Sequence, residues 1–109
     1  MSAAGKFRHS VDIEAQNGPS TPDGQGNFYR DWLPVHQGVP AAIRPLTSRE
    51  RYEANRAAPV STHEVEIRYI PGLSSRNRIN FGGRIFTIDG IRNEMEMNRF
   101  LVLDCTETT

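Results

Sequence analysis

Hydrophobic and polar residues alternate along two stretches of the chain, and this alternation predicts strands. In residues 7–15, Val11 and Ile13 share one face, and polar side chains share the other. Residues 61–70 repeat the pattern around Val65 and other apolar positions. Because successive side chains of a strand point to opposite faces, each stretch predicts a half-buried strand with one polar face.

Two later stretches, residues 84–92 and 99–105, carry apolar side chains on both faces. In the first of them, Phe86 and Ile88 lie opposite Ile85. Strands of this composition are covered on both faces in folded proteins. We therefore expect a helix or a neighbouring subunit to cover the second face.

Turn-forming residues separate the strands. Residues 16–31 include Gly-Pro and Pro-Asp-Gly, and they predict a long exposed loop. Gly82 and Gly83 can adopt positive φ angles and predict a tight hairpin turn. Residues 106–109 predict a frayed tail.

Two further elements are predicted between the long loop and the second alternating strand. Residues 38–46 predict a short strand, and its prolines place it at a sheet edge because proline cannot donate to a ladder. Thr47 and Glu50 have the spacing of a capping box. They introduce residues 48–58, a run of good helix formers that ends before Pro59 and predicts the only helix.

This order of elements predicts a mainly β protein, either a small β-barrel or a curled antiparallel sheet, with one short α-helix and long loops. The 109 residues are typical of a single domain, so we predict one domain over residues 1–109. Lys plus Arg and Asp plus Glu each number 13, so the formal net charge is zero. This balance argues against a generally basic nucleic-acid binder and permits close packing of identical copies.

Catalytic and metal-binding chemistry is not indicated by the sequence. His9, His36 and His63 are far apart and form no recognised ligand spacing. The Gly-Gly pair precedes a strand, whereas a phosphate loop precedes a helix N-terminus. Cys105 predicts a small apolar residue of the last strand. We predict no enzyme, no catalytic residue, no metal and no cofactor.

Targeting features are also missing from the sequence. The first residues contain no apolar core of a secretory signal, and no apolar run approaches the roughly 20 residues needed to cross a bilayer. We predict a protein that does not associate with membranes and is made in the cytoplasm.

Aromatic and arginine residues are the candidates for an interaction surface. The aromatic cluster either covers one end of the core or anchors a partner. The arginines either form a solvated surface or contact acidic patches of a neighbouring subunit or nucleic-acid phosphate, and the zero net charge favours the acidic patch over phosphate. The candidate interface residues are Phe28, Tyr29, Trp32, Arg49, Arg51, Arg56, Arg76, Arg78 and Arg84.

Four blocks of sequence carry a family resemblance: GKFRHSVDIEAQ, TPDGQGNFYRDW, PLTSRERYEANR, and the segment from THEVEIRYI to RFLVLDC. In these blocks and this order the chain resembles the head–tail joining proteins of long-tailed bacteriophages, also called head-closure or head–tail adaptor proteins. It departs from the family pattern at Ala41 and Ala42, where a bulkier residue is more usual. The matching positions in the last block are Thr62, Ile67, Arg68, Tyr69, Arg78, Ile79, Phe86, Ile88, Leu101, Leu103 and Cys105.

The resemblance implies a structural protein of the virion neck, or connector. Such proteins assemble as a homo-oligomeric ring beneath the portal, close the capsid exit after DNA packaging and provide the tail with a docking surface. The implied partners are the portal or adaptor ring and the tail terminator or tail tube proteins, with packaged DNA near the channel. Synthesis would take place in the host bacterial cytoplasm, and a monomer in solution is compatible with this role.

A small oligonucleotide-binding β-barrel is the alternative function. Barrels of this size often bind nucleic acid. Against this alternative, the predicted strands lack a basic face with interleaved exposed aromatic residues.

Overall fold

The computed structural model describes residues 7–18, 20–22, 24–47 and 61–108. Within them, no helix is long and apolar enough to span a membrane. The predicted helix, residues 48–58, lies outside the described residues. The strands are β1 (His9–Ala15), β2 (Ser20–Pro22), β3 (Phe28–Arg30), β4 (Leu33–Pro45), β5 (His63–Arg68), β6 (Arg78–Phe81), β7 (Arg84–Asn93) and β8 (Phe100–Thr108), with a short 3₁₀ helix at Glu94–Glu96.

Six of these strands close into an antiparallel barrel in the order β1-β4-β5-β8-β7-β6, with β6 paired back to β1. The prediction of a mainly β protein with a small barrel is therefore confirmed. The hairpin turn predicted at Gly82 and Gly83 joins β6 to β7, and both glycines have positive φ. The C-terminal segment contributes more than predicted, because β8 continues through Thr108 in its pairing with Ile85.

The barrel interior is filled by the apolar side of each alternating strand. Phe86 is the largest of the fully buried side chains. Burying a side chain of this kind stabilises a fold by roughly 1.5–3 kcal/mol. The core cluster consists of Val11, Ile13, Val39, Ala41, Val65, Ile67, Ile79, Phe86, Ile88, Leu101, Leu103 and Cys105.

The outward face of β8 is also apolar near its start, as predicted. Val102 is only 6% exposed, and its ladder neighbours are Glu66 and Arg92. The ring of Phe100 lies 5.8 Å from the ring of Phe7, which precedes β1. Part of the second apolar face is thus in contact with the chain itself, and cover from a neighbouring subunit stays a prediction.

Strand β4 is not an edge strand of the barrel, so that prediction was wrong for the strand as a whole. Residues 33–41 pair with β1, and residues 41–45 pair with β5. Pro34 and Pro40 lie in the first half, which pairs on one side only among the described strands. Proline is tolerated there because a missing N–H on an open side removes no ladder hydrogen bond.

Residues 16–31, predicted as a long loop, contain a hairpin that continues the β1–β4 ribbon beyond the barrel. Strands β2 and β3 pair antiparallel with each other. Nearer the barrel, the Gly18 N–H donates to the Asp31 carbonyl at 3.0 Å, and the Gln16 amide donates to the Arg30 carbonyl at 3.3 Å. We call residues 16–31 the arm.

The base of the arm requires glycine at one position. A Cβ atom at Gly18 would lie 2.7 Å from the Asp31 Cβ and 2.9 Å from the Asp31 carbonyl oxygen. Such distances are far below van der Waals contact, and much of the surface involved is backbone. The two segments of the arm, around Gly18 and around Asp31, can approach this closely only because Gly18 has no side chain.

Replacing Gly18 by alanine is expected to separate the two segments at the base of the arm without unfolding the barrel. Cross-strand NOEs between β2 and β3 should be lost in NMR spectra, while those of β7 and β8 persist. Gly90→Ala is the matched control, because its Cβ would meet the Asp104 carboxylate at an ordinary 3.6 Å. Retention of the β2–β3 NOEs in Gly18→Ala would show that the close approach is not needed.

The single cysteine behaves as the sequence predicted. Cys105 is fully buried in the core cluster, where its thiol lies 3.6 Å from the Leu103 carbonyl. Burial raises the pKa of the Cys105 thiol from 9.0 to about 12, and the nearby carboxylates of Asp89 and Asp104 add to the increase. The folded protein therefore holds this residue as a neutral thiol.

Two consequences are expected for Cys105. The thiol should not react with a disulfide reagent at pH 8 until the protein is unfolded, because the reagent needs an accessible thiolate.

The raised pKa of Cys105 also stabilises the fold below pH 9, and this contribution to the free energy of unfolding is lost as the pH rises from 9 towards about 12. Urea unfolding of the wild type and of Cys105→Ala across this pH range measures it. Equal pH dependence in the two proteins would contradict the assignment.

Candidate interaction surface

The barrel is closed by a short ladder between β1 and β6. This ladder has three residue pairs, whereas the ladder between β7 and β8 has eight. Short ladders supply few main-chain hydrogen bonds, so side chains must add to the closure. We call the β1–β6 ladder the seam.

Glu14 is the side chain that holds the seam. It is only 8% exposed and accepts hydrogen bonds from Arg78 Nε at 2.6 Å and Asn80 Nδ2 at 3.2 Å. Its main-chain carbonyl accepts a further hydrogen bond from Asn77 Nδ2 at 3.3 Å. A carboxylate this buried requires charged and hydrogen-bonding partners, and all three partners here come from β6 or the loop before it.

Trp32 is attached to the seam through Arg78. The Arg78 guanidinium lies 4.3 Å from the centre of the Trp32 ring, a cation–π contact. Because Trp32 connects the arm to β4, this contact fixes the base of the arm against the barrel. Glu14, Arg78 and Trp32 thus form one continuous stack, which we call the seam stack.

A groove of about 840 Å³ lies between the arm and the loop before β6. Among the described residues, its walls combine two aromatic rings, two guanidinium groups and several polar side chains, and none of these lining residues carries a carboxylate. We call it the arm groove. Its principal lining residues are Phe28, Arg30, Trp32, Gln16, Ser75 and Arg76.

The structure brings together three of the predicted interface residues in this groove, namely Phe28, Trp32 and Arg76. Phe28 is 71% exposed, so it does not cover the core as one interpretation of the sequence had it. Arg30 was missed by the sequence analysis. The spacing of Phe28, Arg30 and Trp32 at every second position was the available signal, because such residues share one face of an extended chain.

Arg84 lies apart from this surface. Its Nε and Nη2 each donate to Glu107 on β8 at 2.9 Å, so the pKa of Arg84 is raised and that of Glu107 is lowered. Arg78 is held by Glu14 instead. Arg78 and Arg84, on either side of the Gly-Gly hairpin, are therefore held by different carboxylates on different strands.

The remaining candidates are only partly described. The backbone of Tyr29 lies in β3. The predicted interface residues Arg49, Arg51 and Arg56 lie outside the described residues, and their role stays a prediction.

Two of the three histidines contact aromatic rings. The His9 ring lies 5.0 Å from that of Phe81, and the His63 ring lies 5.0 Å from that of Phe86. In the part of the chain that the structure describes, no three His, Cys, Asp or Glu side chains come together as a metal site requires.

Taken together, these features define a small closed antiparallel barrel from which an arm projects. An aromatic, arginine-lined groove lies beside the arm. The chain belongs to the phage head completion protein family, whose model matches residues 3–108. The family resemblance found in the sequence is thereby confirmed. Membership assigns the protein a structural role in the phage head, as a virion component that interacts with other head or tail proteins.

A solved structure has the same fold. The solution structure of a protein from Shigella flexneri 2a matches with a TM-score of 0.71 and 22% sequence identity. The match covers 100% of this chain and 98% of that chain. At this level of identity the likeness establishes the fold alone. No curated protein matches the chain.

The seam stack makes a testable contribution to stability. Glu14→Gln keeps the size of the side chain but leaves Arg78 without its anionic partner, so we expect the free energy of unfolding to fall by about 1–3 kcal/mol. Urea denaturation measures this change. Glu107→Gln, which removes the charge from a more exposed ion pair with Arg84, should have a smaller effect. Equal losses in the two variants would show that the seam has no special role.

Proposed function

We propose that this protein is a subunit of a homo-oligomeric ring in the neck of a long-tailed bacteriophage. The ring closes the capsid exit after DNA packaging and offers a docking surface to the tail. The observation that carries the proposal is the arm groove, which places exposed aromatic and guanidinium groups outside the barrel of a head completion protein. Surfaces of this composition are enriched at protein–protein interfaces.

The distribution of polar groups supports a role in protein contacts. The barrel core is closed and apolar, while the described residues of the arm add surface without adding to the core cluster. A ring subunit uses two different surfaces to contact its two neighbours. A barrel that projects an arm to one side is suited to such head-to-tail contacts.

The partners proposed for this surface are proteins of the neck. On the head side these are the portal or adaptor ring, and on the tail side the tail terminator or tail tube proteins. Packaged DNA would lie near the channel. The protein would be made in the bacterial cytoplasm and would assemble onto filled heads, so a monomeric state before assembly agrees with this function.

A nucleic-acid-binding barrel is disfavoured by the charges on the outer face. Arg92 donates to Glu64 on β5 at 2.9 Å and to Asp104 on β8 at 3.0 Å. Burial lowers the pKa of Arg92, but its hydrogen bonds to these two carboxylates outweigh burial and raise it. Arg92 is therefore engaged with carboxylates, and Arg44 pairs with Glu64 as well, whereas a single-strand binder presents basic groups along its face.

Reconstitution of heads tests the proposed function. DNA-filled, tailless heads from an infection that lacks this protein should bind the purified protein and then accept tails. Cryo-electron microscopy of the treated heads should show a ring at the portal vertex. Heads that neither bind the protein nor accept tails would overturn the proposal.

A deletion of residues 18–26 tests the contribution of the arm to closure. If the arm takes part in blocking the channel, heads treated with this variant should lose packaged DNA, measured by nuclease sensitivity. Thr87→Ala, an exposed change on β7, is the control and should retain DNA like the wild type. Full retention of DNA with the deletion would show that the arm does not block the channel.

A further inference from the structure

Exposed large apolar side chains occur at two separate places in the described part of the chain. The first is the arm and the start of β4, where Phe28 is 71%, Leu33 44% and Val35 40% exposed. The second is the connection between β7 and β8, where Met95 is 84% and Met97 is 52% exposed. Single exposed apolar residues are ordinary, but clusters of them mark interaction sites.

The connection between β7 and β8 has an unusual backbone conformation held by side-chain hydrogen bonds. Met95, Glu96 and Asn98 have φ angles of 54°, 53° and 54°, a left-handed conformation that is uncommon for residues other than glycine. Asn93 stabilises it, because its side chain accepts from the Asn98 N–H at 3.1 Å and donates to the Asn98 side chain at 2.7 Å. We call residues 94–98 the knob.

The knob combines apolar and acidic chemistry. Its two methionines are held in solvent, and the Glu96 side chain is exposed between them. Methionine is flexible and polarizable, and its sulfur packs favourably against aromatic rings. The knob therefore suits a partner surface that offers aromatic rings together with positive charge.

The arm groove offers that chemistry. Phe28 and Trp32 supply aromatic rings, and Arg30 and Arg76 supply guanidinium groups. Within the described residues, neither of these two arginines has an ion-pair partner. The lining residues that the structure describes include neither an acidic group nor a methionine, and the knob carries both.

The two surfaces lie at different places around the barrel. The knob joins β8 to β7, whereas the groove lies beside the seam between β6 and β1, so β7 and β6 separate them in the strand order. Two complementary surfaces at different places on one molecule produce head-to-tail contacts between copies, as a ring requires.

We propose that the knob of one copy inserts into the arm groove of a second copy of this chain. The methionines of the knob would pack on Phe28 and Trp32, and Glu96 would pair with Arg30 or Arg76. This inference rests on the proposed function, because it specifies the subunit contact of the proposed ring. It assigns different roles to the two faces: the groove receives one neighbour and the knob enters the other.

Disulfide trapping in assembled heads tests this contact. The native Cys105 is buried, so it should not compete. A chain carrying both Phe28→Cys and Met97→Cys should give a ladder of dimers, trimers and larger species on a non-reducing gel after oxidation. An equal mixture of the two single variants should also crosslink, but only as far as dimers, because each chain then offers one cysteine. Each single variant alone should stay monomeric on the gel.

The control for trapping replaces the groove position by an exposed position on the barrel. A chain with Thr87→Cys and Met97→Cys should give no ladder. If microscopy shows a ring in the same heads but the Phe28–Met97 pair gives no ladder, the knob–groove contact is overturned while the ring stands. If no ring forms on the heads, the proposed function fails, and this contact fails with it.

Charge reversal gives a second and independent readout. Arg76→Glu and Glu96→Arg should each lower the yield of the crosslinked ladder about tenfold, and combining them in one chain should restore it. Arg68→Glu, at an exposed position on β5, should leave the yield unchanged. Failure of the combined variant to recover any yield, with its fold intact by circular dichroism, would show that Glu96 and Arg76 do not meet.

Discussion

Closure of the barrel depends on one nearly buried carboxylate. The seam between β1 and β6 has only three residue pairs, and Glu14 adds hydrogen bonds from Arg78 and Asn80 across it. Arg78 in turn holds Trp32, at the point where the arm meets β4. The same stack therefore closes the sheet and orients the arm, so the geometry of the candidate interaction surface depends on the shortest ladder of the barrel.

Arginine has two distinct uses in this protein. On the barrel surface, Arg84 and Arg92 contact carboxylates of neighbouring strands and tie those strands together. In the arm groove, Arg30 and Arg76 have no such partner among the described residues. The net charge of zero therefore does not describe the surface locally. Arginines paired within the fold lie on the barrel, whereas the arginines that could pair with a partner lie in the groove.

Much of the fold could be predicted because its strands are locally regular. Alternation around Val11 and Val65 predicted β1 and β5, and the Gly-Gly pair predicted the turn between β6 and β7. The arm was missed because Gly and Pro within 16–31 indicate turns, whereas the regular pairing of β2 with β3 depends on chain segments that meet only in the folded ribbon. Strand propensity alone does not predict which segments pair with each other.

The candidate site was predicted in part for a similar reason. Phe28, Trp32 and Arg76 could be singled out by residue type. The sequence could not separate Arg78 from Arg84, because their acidic partners lie 64 and 23 residues away and reach them across the sheet. The prolines of β4 suggested an edge for the whole strand, although residues 33–41 pair with β1 and residues 41–45 pair with β5, so the strand as a whole lies between two neighbours.

The position of the arm outside the core has an evolutionary consequence. Among the described residues of 16–31 none belongs to the core cluster, and Trp32, which follows the arm, contacts Arg78 of the barrel. Substitutions of Phe28 or Arg30, whose side chains are exposed, therefore leave the packing of the interior untouched. The proposed interaction surface of such a protein can change from one virus to another while the barrel that carries it stays the same.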